Sequence, residues 1–309
     1  MNARIGWTDI PDGVRTVLED IVGGPVVSAA SQAGGFSPGT ADRVRTADGR
    51  RAFVKAVSRS TNEHAVELHR REIFITAHLP EGVPVPRVRG AYDDGEWVAM
   101  VLEDVEGRPP RTPWDADELD DVLRTLDGMA AALTPSPVPD LPAASASFGA
   151  DLAGWHLIAA DPPPDLHPWA VARLDALREQ ADRAVAALAG ETVVHLDIRA
   201  DNLLITPDGA VFVVDWPHAC VGPRWLDRLL LLVNVRLHGG HDVDALLRRI
   251  AAGSGADEAD LRAVLAAMAG FFFEYARRPP PPGIPTVREF QRVQGNALVE
   301  WLAEARCHE

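Results

Sequence analysis

The chain has 309 residues, enough to bury a sizeable core and to form more than one compact part; 47% hydrophobic and 24% charged residues are ordinary for a globular protein. Its formal net charge of −15 sets up a field that repels nucleic acid and anionic membrane surfaces, excludes both as expected partners, and draws in cationic small molecules. Cys220 and Cys307 are the only cysteines and neither lies in a C-x-x-C pattern, so no disulfide framework or zinc site is implied and a reducing, cytoplasmic setting is expected.

Residues Met1 to Asp9 lack the cationic start and apolar block of a signal peptide, and the longest apolar stretch, Ala263 to Phe273, is too short to cross a bilayer. Val14, Val17, Leu18 and Ile21 recur at helical spacing behind Pro11, which predicts an opening helix over Pro11 to Val22 that packs on a sheet. Pro25 to Ser28, Ala41 to Thr46 and Arg51 to Val57 then read as a three-strand meander, with a glycine-bearing loop from Gln32 to Thr40 and an Asp48-Gly49 turn. Asn62 to His78 has a capping residue at its start and reads as a helix. Val83-Pro84-Val85-Pro86 ends it, and Arg87 to Tyr92 and Trp97 to Leu102 flank an Asp-Asp-Gly turn, which completes a five-stranded antiparallel sheet. Beyond Glu103 to Gly107 the apolar period changes from two to 3.6. Val122 to Leu133, Pro168 to Leu188, Pro223 to Val235, Asp242 to Ala252, Asp257 to Arg277 and Thr286 to Arg306 are all predicted helical, and Pro279 to Gly283 is expected to be a stiff linker.

One stretch interrupts this helical half. Val193-Val194-His195-Leu196-Asp197-Ile198-Arg199-Ala200-Asp201-Asn202-Leu203-Leu204-Ile205 sets H-x-D-x-x-x-x-N between two short apolar runs. The turn Thr206-Pro207-Asp208-Gly209 and the β-branched run Ala210 to Val214 follow, ending in Asp215-Trp216. Asp197 to Asn202 is five residues and Asn202 to Asp215 is thirteen, the separation that a hairpin needs to bring Asn202 and Asp215 side by side.

This unit resembles the catalytic loop and metal-binding hairpin of the eukaryotic-like kinases, and Asp-Trp at its end, with VVHLDIRADNLLI, is similar to the aminoglycoside phosphotransferase family. The resemblance implies an α+β, protein-kinase-like bilobal fold. Its expected parts are an N-terminal nucleotide-binding lobe at 1–102, a hinge at 103–107, and a helical C-terminal lobe at 108–309 carrying the acceptor cleft. It also implies ATP with Mg²⁺ as cofactors, GTP remaining open because the hinge reads the base through backbone groups.

Residue by residue, the resemblance makes Asp197 the base for the acceptor hydroxyl, Asn202 and Asp215 the metal ligands, and Lys55 the cation on the α- and β-phosphates. Glu72, before an apolar turn, matches the acid that orients Lys55; Glu67 and Glu63 are the alternatives. Ser37 and Gly39 are the flap candidates, although the loop lacks G-x-G-x-x-G, and Glu103 (C=O) and Val105 (N–H) would bond the adenine edge. Arg199 is placed to steady the transferring phosphoryl group, with pairing to Asp201 as the other reading. His195 reads as packing, and Asp227 as a brace for the catalytic loop. The acids between Asp115 and Asp127 suit either an acceptor cleft or a helix N-terminus, and the helix is favoured.

The expected activity is phosphoryl transfer to a hydroxyl of a small molecule by a monomer or homodimer. An aminoglycoside or other antibiotic is the leading acceptor, and a choline, homoserine or methylthioribose type the alternative. A nucleotide-binding pseudokinase is disfavoured because Lys55, Asp197, Asn202 and Asp215 occur together; a protein that only sequesters an antibiotic would bind without turnover.

Overall fold

A computed structural model describes residues 5–32, 39–281 and 285–305. The chain forms two compact units, one running to Pro109 and including Asp201–His218, the other comprising Pro110–Ala200, Ala219–Pro280 and the chain from Thr286 onward. In the first unit the elements are α1 (Asp12–Val22), β1 (Val26–Ser31), β2 (Thr40–Thr46), β3 (Arg51–Ser58), α2 (Glu63–His78), β4 (Val88–Asp93) and β5 (Trp97–Leu102). The sheet order is β1-β2-β3-β5-β4 and every pairing is antiparallel, as the strand pattern predicts.

The period-two pattern of β3 decides what each face of the sheet carries. Ala52, Val54 and Ala56 share a core with Val14, Leu18 and Val22 of α1. Val57, one residue out of phase, packs with Ala65 and Val66 of α2. Lys55 is in phase with Val57, so it projects on the α2 face. The start of α2 is set by Asn62, whose side-chain oxygen accepts the Ala65 N–H at 2.9 Å.

The second unit holds α3 (Ala116–Ala132), α4 (Ala144–Leu152), α5 (Gly154–Ala160), α6 (Pro168–Val171), α7 (Leu174–Ala187) and β6 (Thr192–Val194). The chain then supplies β7 (Leu203–Ile205) and β8 (Val211–Val213) to the first unit. It continues the second with β9 (Cys220–Gly222), α8 (Leu226–His238), α9 (Val243–Ser254), α10 (Glu258–Ala276) and α11 (Val287–Ala305). The helix α10 is buried almost all round, from Leu261 to Phe272, and packs against α4, α5, α7, α9 and α11, so it is the axis of this unit.

Four features differ from expectation, the first being α4 and α5, which lie where no helix is predicted. The predicted helix Pro168 to Leu188 breaks at Ala172-Arg173 into α6 and α7, and β6 pairs with β9, a second small ladder in the helical half. The hairpin of β7 and β8 groups with the N-terminal unit, because Arg108 and Ile205 exchange backbone hydrogen bonds of 3.0 and 2.7 Å and the Val213 N–H donates to the Pro84 carbonyl at 2.9 Å. Part of the proline run, at 282–284, lies outside the described residues. Among the described residues no helix is long and apolar enough to cross a membrane.

The α5–α10 crossing depends on glycine. A Cβ on Gly154 would sit 2.4 Å from the Gly270 carbonyl oxygen, and backbone cannot give way as a side-chain tip can. Gly154→Ala should therefore lower the unfolding free energy measured in urea by about 1–3 kcal/mol. Gly128→Ala, in α3 with nothing within 4 Å of its Cβ, should raise it by up to about 1 kcal/mol. Equal effects at the two positions would contradict this packing.

Candidate active site

The hairpin of β7 and β8 sets the geometry of the acidic end of the site. Leu203 faces Val213 and Ile205 faces Val211, so the residue before β7 comes opposite the residues after β8. The Val214 N–H donates to the Asn202 carbonyl at 3.0 Å, which ties Asn202 to the backbone next to Asp215. Trp216 is 1% exposed and its indole N–H donates to the Val213 carbonyl at 3.1 Å. Anchored in this way, Asp215 adopts φ +70°, a left-handed conformation unusual for a non-glycine residue and of the kind found where function dictates the backbone.

Lys55 meets this end of the hairpin. Its ammonium lies 2.7 and 2.8 Å from the two carboxylate oxygens of Glu72 and 2.8 Å from Asp215 Oδ1, which engages all three of its N–H donors. Burial opposes the charge on Lys55, but Asp215 and then Glu72 outweigh it and raise its pKa above the ordinary lysine value. Glu72, 3% exposed, is pushed upward by burial while Lys55 pulls it back; with the two oxygens on an ammonium, we take the pair as charged. Glu67 is on another face of α2, paired with Arg70 at 2.5 Å, and Glu63 is paired with Arg59 at 2.5 Å. Of the three candidate acids, Glu72 holds the lysine.

These groups open onto a cavity of about 300 Å³ whose apolar walls include Phe53, Leu102 and Leu204. Glu103, Asp104, Val105 and Gly107 line it as well. The Glu103 N–H donates to the Arg87 carbonyl at 2.8 Å, whereas among the described residues no protein hydrogen bond falls on the Glu103 carbonyl or the Val105 N–H. An acceptor followed by a donor is the pair that an adenine edge requires. Gly39 has φ +111° and lies outside the cavity lining; a Cβ there would be 2.5 Å from the Ala56 carbonyl oxygen, so glycine is needed where the chain crosses β3. Ser37 lies outside the described residues.

Asp197 and Arg199 belong to the second unit. There the loop after β6 is held from below by Asp227, whose two carboxylate oxygens accept the His195 N–H at 2.8 Å and the Leu196 N–H at 3.0 Å. His195 is fully buried and its Nδ1 accepts the Asp197 N–H at 3.2 Å, so it shapes the loop. Leu196 takes φ +70° between them. The Asp197 side chain is 32% exposed, with Arg199 Nη1 3.2 Å from its Oδ1. The Arg199 guanidinium also lies 5.3 Å from the centre of the Phe290 ring. Here Arg199 attends the carboxylate expected to be the base.

The acids at the start of α3 are taken up locally. Asp115 caps the helix through the Asp117 and Glu118 N–H groups, and Asp120, Asp121 and Asp127 pair with Arg249, Arg124 and Arg228. Sequence reasoning passed over three residues of the cavity. His69 of α2 is 5% exposed with Nδ1 2.8 Å from the Ala65 carbonyl, so that nitrogen carries the proton. Arg43 lines the cavity, and Asp104, its side chain 3% exposed, lies 3.2 Å from Arg43 and 2.8 Å from Arg51. The alternation of Ala41, Arg43 and Arg45, in register with Lys55, Phe53 and Arg51, was the available signal for Arg43.

Among the described residues no group of three His, Cys, Asp or Glu could hold a metal by protein ligands alone. One carboxylate and one carboxamide, from Asp215 and Asn202, still suit Mg²⁺, which keeps waters and phosphate oxygens in its shell. An apolar slot, a backbone acceptor–donor pair and a partly buried cation beside that pair of ligands fit a nucleotide triphosphate.

A sequence model described as the phosphotransferase enzyme family matches residues 33–289. The chain belongs to that family. It is accordingly a phosphotransferase of the small-molecule kinase type, as the catalytic-loop resemblance implied. None of the curated proteins compared matches the chain. Solved structures do. An aminoglycoside phosphotransferase from Alicyclobacillus acidocaldarius is 20% identical, covers 91% of this chain and 93% of its own, and has a TM-score of 0.54. A thermostable mutant of aminoglycoside phosphotransferase APH(4)-Ia, in complex with ADP and hygromycin B, is 16% identical over 93% and 98% of the two chains, with a TM-score of 0.60. Choline kinase LicA from Streptococcus pneumoniae is 13% identical over 95% and 98%, with a TM-score of 0.61. At these identities the likeness establishes the phosphotransferase's fold.

Burial, then the nearby Lys55 charge, depresses the His69 pKa from 6.5 to about 4. Between those values the unfolded chain binds the proton and the folded chain does not, so stability is present at neutral pH and falls as pH drops. In urea unfolding between pH 7 and 4.5, the phosphotransferase should lose roughly 2 kcal/mol more than its His69→Asn variant, whose carboxamide does not titrate. Parallel losses would contradict a neutral buried imidazole.

Proposed function

We propose that the protein is an ATP- and Mg²⁺-dependent O-phosphotransferase that moves the γ-phosphoryl group to a hydroxyl of a small molecule, with an aminoglycoside-like antibiotic as the leading acceptor. The observation that carries this reading is the Lys55 ammonium, its side chain 15% exposed, shared between Glu72 and Asp215 on a cavity that Asn202 also lines. A cation fixed by two acids of distant sequence is placed to receive phosphate charge and has little reason to be so arranged in a merely structural core.

In this reading the Glu103 carbonyl and the Val105 N–H hold the adenine edge, Glu103 to Gly107 acting as the hinge, while Lys55, kept in place by Glu72, bonds the α- and β-phosphates. Asn202 and Asp215 would hold magnesium, which supplies charge neutralisation on the phosphate oxygens. Asp197 accepts the proton of the acceptor hydroxyl as that oxygen bonds to the γ-phosphorus; the bond to the β-phosphate oxygen breaks and ADP leaves. Arg199 moves from Asp197 toward the transferring group or stays to orient the carboxylate. Ser37 and Gly39 would contribute flap contacts to the phosphates. The negative field of the chain favours a cationic acceptor. The likeness to a choline kinase supports the alternative, a metabolic amino-alcohol or sugar acceptor.

Purified protein with Mg-ATP, screened against aminoglycosides, other antibiotics and small alcohols by mass spectrometry, should give one acceptor class that gains a phosphoryl group. Modification of choline-like or sugar acceptors alone would select the alternative, and nucleotide binding with no phosphorylated acceptor would contradict the enzyme reading. Asp197→Asn should lower kcat by roughly 10²–10⁴ with ADP affinity nearly unchanged. Turnover close to wild type would remove Asp197 from the base role.

A further inference from the structure

Two nucleobases could meet the linker Glu103 to Gly107, and they ask for different backbone groups. Adenine offers an amino N–H and a ring acceptor, which match the Glu103 carbonyl and the Val105 N–H. Guanine offers a carbonyl acceptor followed by two N–H donors, which match the Val105 N–H and then the Val105 carbonyl. Among the described residues the first pair has no protein partner, but the second does not come free. Arg43 Nη2 donates to the Val105 carbonyl at 2.9 Å, and Arg43 itself lines the cavity.

Arg43 is not at liberty to leave. Its Nε lies 3.2 Å from Asp104 Oδ1 as an ion pair whose angle makes no hydrogen bond, and the Asp104 side chain is only 3% exposed. Arg51 holds the other oxygen of the same carboxylate at 2.8 Å and reaches Glu106 at 2.7 Å. Withdrawing Arg43 would leave a buried carboxylate with one cation in place of two. The guanidinium is thus fixed from β2 beside the linker, where its positive charge faces the position of guanine's own N–H donors. A donor in that place competes for the carbonyl and repels the base.

We propose that Arg43 is a specificity-determining residue that makes the site select adenine over guanine nucleotides by capping the Val105 carbonyl. This rests on the reading of the cavity as a nucleotide site. Asp104 and Arg51 are positioning residues that keep the cap in place.

The test is calorimetric titration of the full chain with ADP and with GDP, both with Mg²⁺ and without acceptor. The wild-type protein should bind ADP at least tenfold more tightly than GDP. Arg43→Met, and Arg43→Met combined with Asp104→Asn so that no unpaired charge is left, should narrow that ratio tenfold or more, chiefly by tighter GDP binding. A residue of merely structural importance would weaken both nucleotides together. Equal affinities in the wild type, or an unchanged ratio in both variants with circular dichroism intact, would overturn the assignment of Arg43. Failure of the wild type to bind either nucleotide would overturn the nucleotide-site reading along with it, and is distinguished by that result.

Discussion

The functional face of the N-terminal unit depends on keeping one partly buried ammonium charged. An unpaired lysine there would lose its proton to desolvation. Lys55 instead has Glu72 from α2 and Asp215 from the end of β8, and the two carboxylates raise its pKa above the usual value despite burial. That requirement constrains the elements that carry them: β3 must present its odd-numbered residues to α2, α2 must start at Asn62 so that Glu72 comes round to the sheet, and the hairpin must be in register to bring Asp215 forward. A slip of one residue in either β-pairing would place the wrong side chain on the face.

The second unit works by a comparable constraint applied to backbone. Asp227 lies in the first turn of α8 and accepts two consecutive N–H groups of the loop that carries Asp197. Burial raises the Asp227 pKa, the nearby His195 and the two N–H groups opposing this. The carboxylate thus supports a loop in which Leu196 is held in a left-handed conformation. The two units use the same physics for different ends: a buried charge is tolerated because its partners are fixed by regular structure, and the fixed partners in turn define where a reactive group is presented.

The parts of this arrangement that were legible in the sequence are those written at short range. The family resemblance singled out Lys55, which the alternation of β3 alone reads as a solvated lysine; the Asn62 cap gave the start of α2, and the spacing from Asn202 to Asp215 implied their juxtaposition through a hairpin. Glu72 is preferred to Glu67 and Glu63 through the family pattern; helical spacing alone does not choose among them, since that needs the rotation of α2 against the sheet. Val193-Val194 reads as a short buried strand and forms β6, but its partner β9 has too few residues for a period to register, and α6 and α7 have continuous helical composition across Ala172-Arg173. Arg43 and Asp104 escaped because their significance comes from a contact between β2 and the linker 61 residues later in the chain (104 − 43), which no local pattern records. Asp104 in particular reads as one more acid in a polar loop, although its side chain is almost wholly buried.

The central claim is that Lys55, Glu72, Asn202 and Asp215 form a preassembled seat for a metal-bound triphosphate. Its most direct test is a crystal structure with Mn²⁺ and a non-hydrolysable ATP analogue, using anomalous scattering to locate the metal. The account predicts an anomalous peak bounded by oxygens of Asp215 and Asn202, with Lys55 keeping Glu72 and turning its remaining donor from Asp215 to the phosphates. Phosphates bound away from Lys55, with Asp215 and Asn202 off the metal, would contradict it.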